Sequence, residues 1–288
     1  MKRTIVRTGL ATLVAGLVFM AAPAAADLGL INMTRGVTES SERIYDLHMT
    51  IFTITVVIGI GVFGAMFYSI FRHRKARGVK PATFHHSTAI EIVWTVIPLA
   101  ILVAMAVPAT MVLIDFEDTS DTEMTVKVTG YQWFWGYEYM DENVQFLSRL
   151  DRDSDRARQL GSDIQPASVD NYLQNVDKRL ILPVDTRIKF QITAADVIHS
   201  WWVPDLGWKR DAIPGFVNET WTEIKEPGVY RGRCAELCGR DHGFMPIVVE
   251  AVEKDEFDAW LAAQQGGEGA AATAGADDAE SGTELASR

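Results

Sequence analysis

The chain has 288 residues, 48% of them hydrophobic and 23% charged, with a formal net charge of −11. That acidic excess excludes a nucleic-acid binder working through a basic surface, because such affinity comes from Lys and Arg set against phosphates. Two cysteines in the whole sequence exclude a disulfide-dense secreted scaffold.

At the N-terminus, Met1-Lys2-Arg3 with Arg7 forms a basic stretch, Leu10 to Met20 an apolar one, and Ala24-Ala25-Ala26 a small-residue cleavage site. Residues 1–26 therefore read as an export signal, with Asp27 opening the mature chain. The apolar part is shorter than the roughly 20 residues a bilayer span needs. Two longer apolar runs follow, at about 47–71 and 92–114, and neither contains Asp, Glu, Lys or Arg. Each can cross a hydrocarbon core of about 30 Å as a helix rising about 1.5 Å per residue, so residues 27–114 are expected to form a transmembrane hairpin. The link from Arg72 through Arg74, Lys75 and Arg77 to Lys80 is strongly basic. Basic loops stay cytoplasmic, which sends both termini to the outer, periplasmic side of a bacterial plasma membrane. Thr88 and Glu91 have the spacing of a capping box opening the second span.

Residues 115–264 read as one exported all-β domain. Thr125 to Tyr139 alternates like a strand, as does Arg187 to Ile192, and Val229 to Arg233 and Pro246 to Glu250 are short β-rich runs beyond a turn at Glu226-Pro227-Gly228. Short strands with Gly and Pro turns suggest a sandwich or barrel. If 125–139 were one strand, Trp133 and Trp135 would share a face and Phe134 would point the other way. At least one large ring would then meet solvent or a partner. Residues 147–178 are polar with mixed charge and are expected to be a surface insertion with little packed structure. Asp255 to Leu261 has the apolar spacing of a terminal helix, and 265–288 reads as a disordered acidic tail.

Cys234-Ala-Glu-Leu-Cys238-Gly-Arg-Asp-His242-Gly-Phe-Met245 carries both cysteines. Thiolate, imidazole and thioether together select copper, since hard cations want oxygen and zinc has little use for a thioether. One copper with a single thiolate leaves the second Cys over, whereas two coppers bridged by two thiolates would use it and would need one His each. Asp196-Val-Ile-His199 upstream supplies the missing imidazole. The candidate ligands are His199, Cys234, Glu236, Cys238, His242 and Met245. A Cys234–Cys238 disulfide, which an oxidising compartment permits, and a Cys2His2 zinc site of unusual spacing are the alternatives.

These residues resemble cytochrome c oxidase subunit II of the haem-copper oxidases. The likeness extends from about residue 45 to 262 and includes the two-helix anchor, the aromatic run Gly130 to Tyr139, Asp196 to Ser200, Lys209 to Gly215 and the Cys234 to Met245 loop. The resemblance implies a membrane-anchored all-β protein, with a two-helix transmembrane hairpin followed by a cupredoxin-like Greek-key β-barrel or sandwich. It implies a dinuclear CuA centre of two copper ions, fed by cytochrome c and passing electrons to a haem in subunit I for reduction of oxygen to water. Partners would be subunit I, subunit III, cytochrome c and membrane lipid, with no nucleic acid.

By the same resemblance Trp133 is where electrons arrive, and Glu138, Asp141, Glu142, Asp177 and Asp196 are docking acids. Asp196 has a rival role in orienting the metal loop. Glu236 would offer copper its backbone carbonyl and offer its carboxylate to a magnesium shared with subunit I. Glu91 would stand at the cytoplasmic mouth of a proton channel, a role compatible with capping. Two positions depart from the family pattern, Arg210 where a neutral residue is common and Phe216 where Arg is common, so the subunit I contact is expected to differ. No Cys-x-x-Cys-His is present for a fused cytochrome c domain. A quinol oxidase subunit would lack the copper ligands, nitrous oxide reductase would carry a propeller instead of two spans, and a copper carrier would not need the Trp133 run.

Overall fold

A computed structural model describes residues 32–80, 83 and 85–271. The expected export signal at 1–26, and positions 272–288 of the expected tail, lie outside the described residues.

Two long helices come first, α1 (Glu39–Arg72) and α2 (Thr88–Glu117). Their apolar windows have mean hydropathies of 2.2 and 2.5 and no buried residue within the chain. Ile60, Phe67, Leu102 and Met111 all point outward, an arrangement suited to lipid or to other transmembrane helices. Both helices outrun their apolar segments at the end next to the β-domain, and the extra turns bind it. Thr38 caps α1 by a reciprocal pair with Ser41, and its hydroxyl also donates to the Leu206 carbonyl at 3.2 Å. Trp221 Nε1 donates to the Asp115 carbonyl at 3.0 Å, and Arg43 joins α1 to α2 through Asp115 at 2.6 Å.

The N-terminal end of α2 corrects one expectation. Its N-cap is Ser87, with no side-chain cap bond, so Thr88 lies inside the helix and no Thr88–Glu91 capping box forms. The one-residue shift places Glu91 past the position from which a carboxylate can reach back to the N-cap amide. It is exposed in the first turn, where a negative charge suits the helix dipole.

Among the described residues, ten strands build two five-stranded sheets. The first runs β3 (Val144–Ser148), β2 (Phe134–Tyr139), β1 (Met124–Tyr131), β5 (Ile188–Ala194), β8 (Asn218–Thr222). The second runs β4 (Leu180–Pro183), β10 (Pro246–Val252), β9 (Gly228–Cys234), β6 (His199–Trp202), β7 (Lys209–Ala212). Alternate residues face inward and are fully buried, among them Val126, Val128, Phe190 and Ile192 from one sheet and Leu182, Trp201, Ile247 and Val249 from the other. Each such side chain contributes about 1.5–3 kcal/mol of transfer free energy. The architecture is the cupredoxin-like one.

Three further expectations change. Residues 125–139 are a hairpin, with Tyr131 paired to Phe134 across Gln132-Trp133. The inward residues switch from even positions in β1 (Val126, Val128) to odd ones in β2 (Trp135, Tyr137, Tyr139), which a single strand of period two cannot do. The insertion at 147–178 is packed. It contains α3 (Arg152–Ala157), capped by Asp151, and buries Ser154, whose hydroxyl accepts from Leu173 N at 3.0 Å. Capping and ion pairs hold it where an apolar core of its own is missing. Finally, the terminal helix α4 (Lys254–Ala271) runs into the stretch expected to be disordered. Phe257 and Leu261 are buried and Trp260 lies against Tyr139, so the packed turns nucleate a helix that Gln265, bonded to Glu142, continues.

Candidate metal centre

The loop carrying the thiols joins β9 to β10. Its mouth is closed by Cys234 N donating to Met245 O at 3.0 Å, while Ala235 N donates to Ser200 O at 2.9 Å and ties it to β6, whose first residue is His199. Cys234 and Cys238 are free, buried thiols with their sulfurs 3.8 Å apart. His199 Nδ1 lies 3.9 Å from Cys234 Sγ and His242 Nδ1 lies 3.5 Å from Cys238 Sγ. The Glu236 carbonyl accepts from Cys234 Sγ at 3.3 Å, while the Glu236 side chain is exposed. Met245 is fully buried at the base of the loop. The disulfide alternative is not what folds.

The donors of His199, Cys234 and Cys238 lie within 4.8 Å of one another, with His242 on the far flank beside Cys238. Two thiols with an imidazole beside each form a soft donor set, which favours copper.

Electrostatics agree. Burial pushes the Cys234 thiol up, but hydrogen bonding with His199 and with the backbone at Ser200 outweighs it, so its pKa falls. Burial and the neighbouring Cys234 charge push Cys238 up. A metal-free pocket therefore holds one negative charge readily and two poorly, and bound cations would allow both thiolates.

The next layer of residues fixes these donors. Burial pushes the His199 pKa down, yet its bonds to Cys234 and Asp196 raise it overall. Asp196 Oδ1 meets His199 Nε2 at 2.9 Å, and the same carboxylate accepts from Gln132 N at 2.7 Å and Val197 N at 2.6 Å. This carboxylate-to-imidazole contact selects the tautomer that frees Nδ1 to face the sulfur. Trp135 meets the His199 ring edge-on at 5.9 Å. At Gly130 even a Cβ would come within 2.7 Å of His199 Cδ2.

The β1–β2 turn lies over the loop. Both Gln132 Nε2 (2.9 Å) and Trp133 Nε1 (3.1 Å) donate to the Cys238 carbonyl. Gly239, at φ 118°, leaves room for them, since a Cβ there would meet Trp133 Cζ2 at 3.2 Å. The Arg240 guanidinium covers the half-buried Trp133 ring at 5.5 Å.

The acids proposed for docking are spread out. Asp196 is bonded to the turn itself, and Asp177 accepts from Arg149 N at 2.7 Å beside Phe134, so both lie at the loop end of the domain. Glu138 is the penultimate residue of β2, paired with Lys127 at 3.0 Å. Asp141 and Glu142 follow the opposite end of β2, about 20 Å from the Trp133 turn at roughly 3.3 Å per residue. Arg210 pairs with Glu117 at the end of α2, and Phe216 with Val217 forms an exposed apolar tip. Gln132, Gly130, Gly239 and Arg158 were not singled out from the sequence. Gly130 and Gln132 stand within the aromatic run, but only the fold shows what they touch.

Comparison with known proteins gives a consistent result. Residues 26–112 match the family described as the cytochrome c oxidase subunit II transmembrane domain, and residues 124–252 match its periplasmic domain. A cytochrome c oxidase subunit 2 of Cereibacter sphaeroides is 35% identical over 93% of this chain and 94% of its own length. A probable cytochrome c oxidase subunit 2 of Rickettsia prowazekii is 43% identical over 77% of this chain and 68% of its own. The crystal structure of the periplasmic domain of subunit II of cytochrome oxidase from Bradyrhizobium japonicum is 38% identical, covering 51% of this chain and 97% of that one at a TM-score of 0.45.

Proposed function

The chain belongs to the cytochrome c oxidase subunit II family, whose members are parts of an oxidoreductase, and we propose that it is the electron-input subunit of a proton-pumping cytochrome c oxidase. In this reading His199, Cys234, the Glu236 carbonyl, Cys238, His242 and Met245 hold two copper ions. Copper bound there would supply a one-electron centre whose charge is shared between two metals. The observation that carries the reading is the pair of free thiols 3.8 Å apart, with the His199 imidazole beside Cys234 and the His242 imidazole beside Cys238.

The remaining roles belong to the chain's own side chains. Trp133 offers cytochrome c a partly exposed ring joined by one hydrogen bond to the backbone of Cys238, so an electron arriving at the ring has a short covalent path to a ligand sulfur. Asp196 orients His199, and with Asp177 it gives the loop end of the domain the negative charge that a basic donor would meet. The exposed Glu236 carboxylate would meet a magnesium held jointly with subunit I. Subunits I and III would cover the apolar faces of α1 and α2, with the domain outside the membrane and the basic link inside. Glu91 would then lie at the inner mouth of a proton path in subunit I.

Rapid mixing of reduced cytochrome c with the purified oxidase tests this assignment. Cys234→Ser should abolish fast electron uptake, because a hydroxyl is a hard and poorly ionised substitute for a thiolate. Haem reduction by a small-molecule reductant should persist in the same preparation. Unchanged fast uptake by the variant would remove the role.

A further inference from the structure

His199 and His242 are held differently. His199 is buried, with Asp196 on its outer nitrogen. His242 is half-buried, and among the described residues no carboxylate or carbonyl partners its Nε2. Its position must come from the single 3-10 turn His242–Phe244 on which it sits. Two backbone bonds hold it, Phe244 N to Asp241 O at 2.9 Å and His242 N to Gly239 O at 3.3 Å, and one such turn is weak by itself.

The packed insertion supplies the missing restraint. Arg158 follows α3, its amide bonded to Ser154 O at 3.1 Å, and its side chain is only 21% exposed. The guanidinium bonds Asp155 Oδ1 at 2.8 Å, which sets its plane. It then reaches across to the metal loop, lying 3.5 Å from Asp241 Oδ1 and 4.4 Å over the Phe244 ring. Asp241 is itself only 14% exposed, so this pair is screened less than a surface pair. Asp241 precedes His242, and Phe244 precedes Met245. One planar cation thus grips both ends of the turn that carries one candidate ligand and leads into the next.

We infer that Arg158 is a positioning residue for the centre, clamping the Asp241–Phe244 turn so that His242 and Met245 keep their places beside Cys238. The inference rests on the dicopper reading above and extends it to a residue that lies in the insertion, outside the loop. Arginine suits the task because its flat, forked guanidinium can pair with a carboxylate and stack on a ring at once, which an ammonium does less well.

The test compares full-length Arg158→Ala, Arg158→Lys and Phe244→Leu chains in detergent with the parent. In the metal-free state, hydrogen exchange at the Phe244 amide should quicken in Arg158→Ala and less so in Arg158→Lys. After copper loading, Arg158→Ala should lose copper to a chelator about ten to a hundred times faster, the range typical for residues that orient ligands. Its unpaired-electron spectrum should show less even sharing between the two nuclei. Phe244→Leu, which keeps an apolar side chain without the ring, should fall between parent and Arg158→Ala, and combining the two changes should add little. A parent chain that loads two coppers alongside an Arg158→Ala chain with parental exchange, release and spectrum would overturn the clamp and leave the dicopper reading standing. A parent that fails to load two coppers would overturn that reading, and the clamp of a copper ligand with it.

Discussion

The indole nitrogen of Trp133 donates a 3.1 Å hydrogen bond to the carbonyl oxygen of Cys238, so a half-buried ring of the β1–β2 turn is wired to the backbone of a candidate copper ligand. Trp133→Phe keeps an aromatic surface and removes that donor. Electron transfer within the bound cytochrome c complex should slow by about tenfold or more, in line with losses at residues contacting a ligand. The association constant should change far less. Normal transfer within the complex, with weakened binding, would make Trp133 an ordinary contact residue.

The acids should act through rate of encounter, and unequally. Asp177→Asn should slow cytochrome c association at low ionic strength, with the difference shrinking as salt passes about 0.15 M, where the Debye length is about 8 Å. Glu138→Gln should have a smaller effect, because Lys127 already neutralises that carboxylate locally. Asp141→Asn and Glu142→Gln, at the far end of β2, should be weaker still. Stopped-flow rates across a salt series decide the order.

Much of this molecule was legible in its sequence. The two apolar helices, the strand-rich domain and the grouping of His199 with Cys234 and Cys238 follow from charge-free apolar runs, alternation and donor chemistry. The β1–β2 turn was hidden because Gln132-Trp133 lacks the Gly or Asn that marks most two-residue turns, and only the parity switch between Val128 and Trp135 betrays it. The packed insertion was hidden for a different reason. Its polar composition resembles a solvated loop, and the contacts that hold it are a helix cap, the Ser154–Leu173 bond and ion pairs such as Arg158 reaching Asp241 more than eighty positions away. Long-range polar contacts of that kind have no periodicity to read.

Glu91 separates two roles cleanly now that no capping box forms at Thr88. Glu91→Gln should leave helix formation, copper content and electron uptake unchanged. Turnover of the assembled oxidase should nevertheless slow if Glu91 feeds the proton path proposed above, because its carboxylate has been lost. Parental turnover across a range of pH would leave Glu91 as a favourable charge at a helix N-terminus and nothing more.

Gly130 is a steric prediction. Gly130→Ala places a methyl group within 2.7 Å of His199 Cδ2, so either the ring or β1 must move. Overpacking of this type costs about 1–3 kcal/mol. A lowered unfolding temperature and a disturbed copper spectrum should appear together. A stable variant with the parental spectrum would mean that the His199 ring has room to shift.

The central claim is that Cys234 and Cys238 together hold two metals, and metal counting on the full-length chain in detergent tests it most directly. The account predicts two copper ions per chain, a purple colour, and a mixed-valence form whose unpaired electron is spread over both nuclei, all lost in Cys234→Ser. One copper per chain with a single-nucleus signal would contradict it.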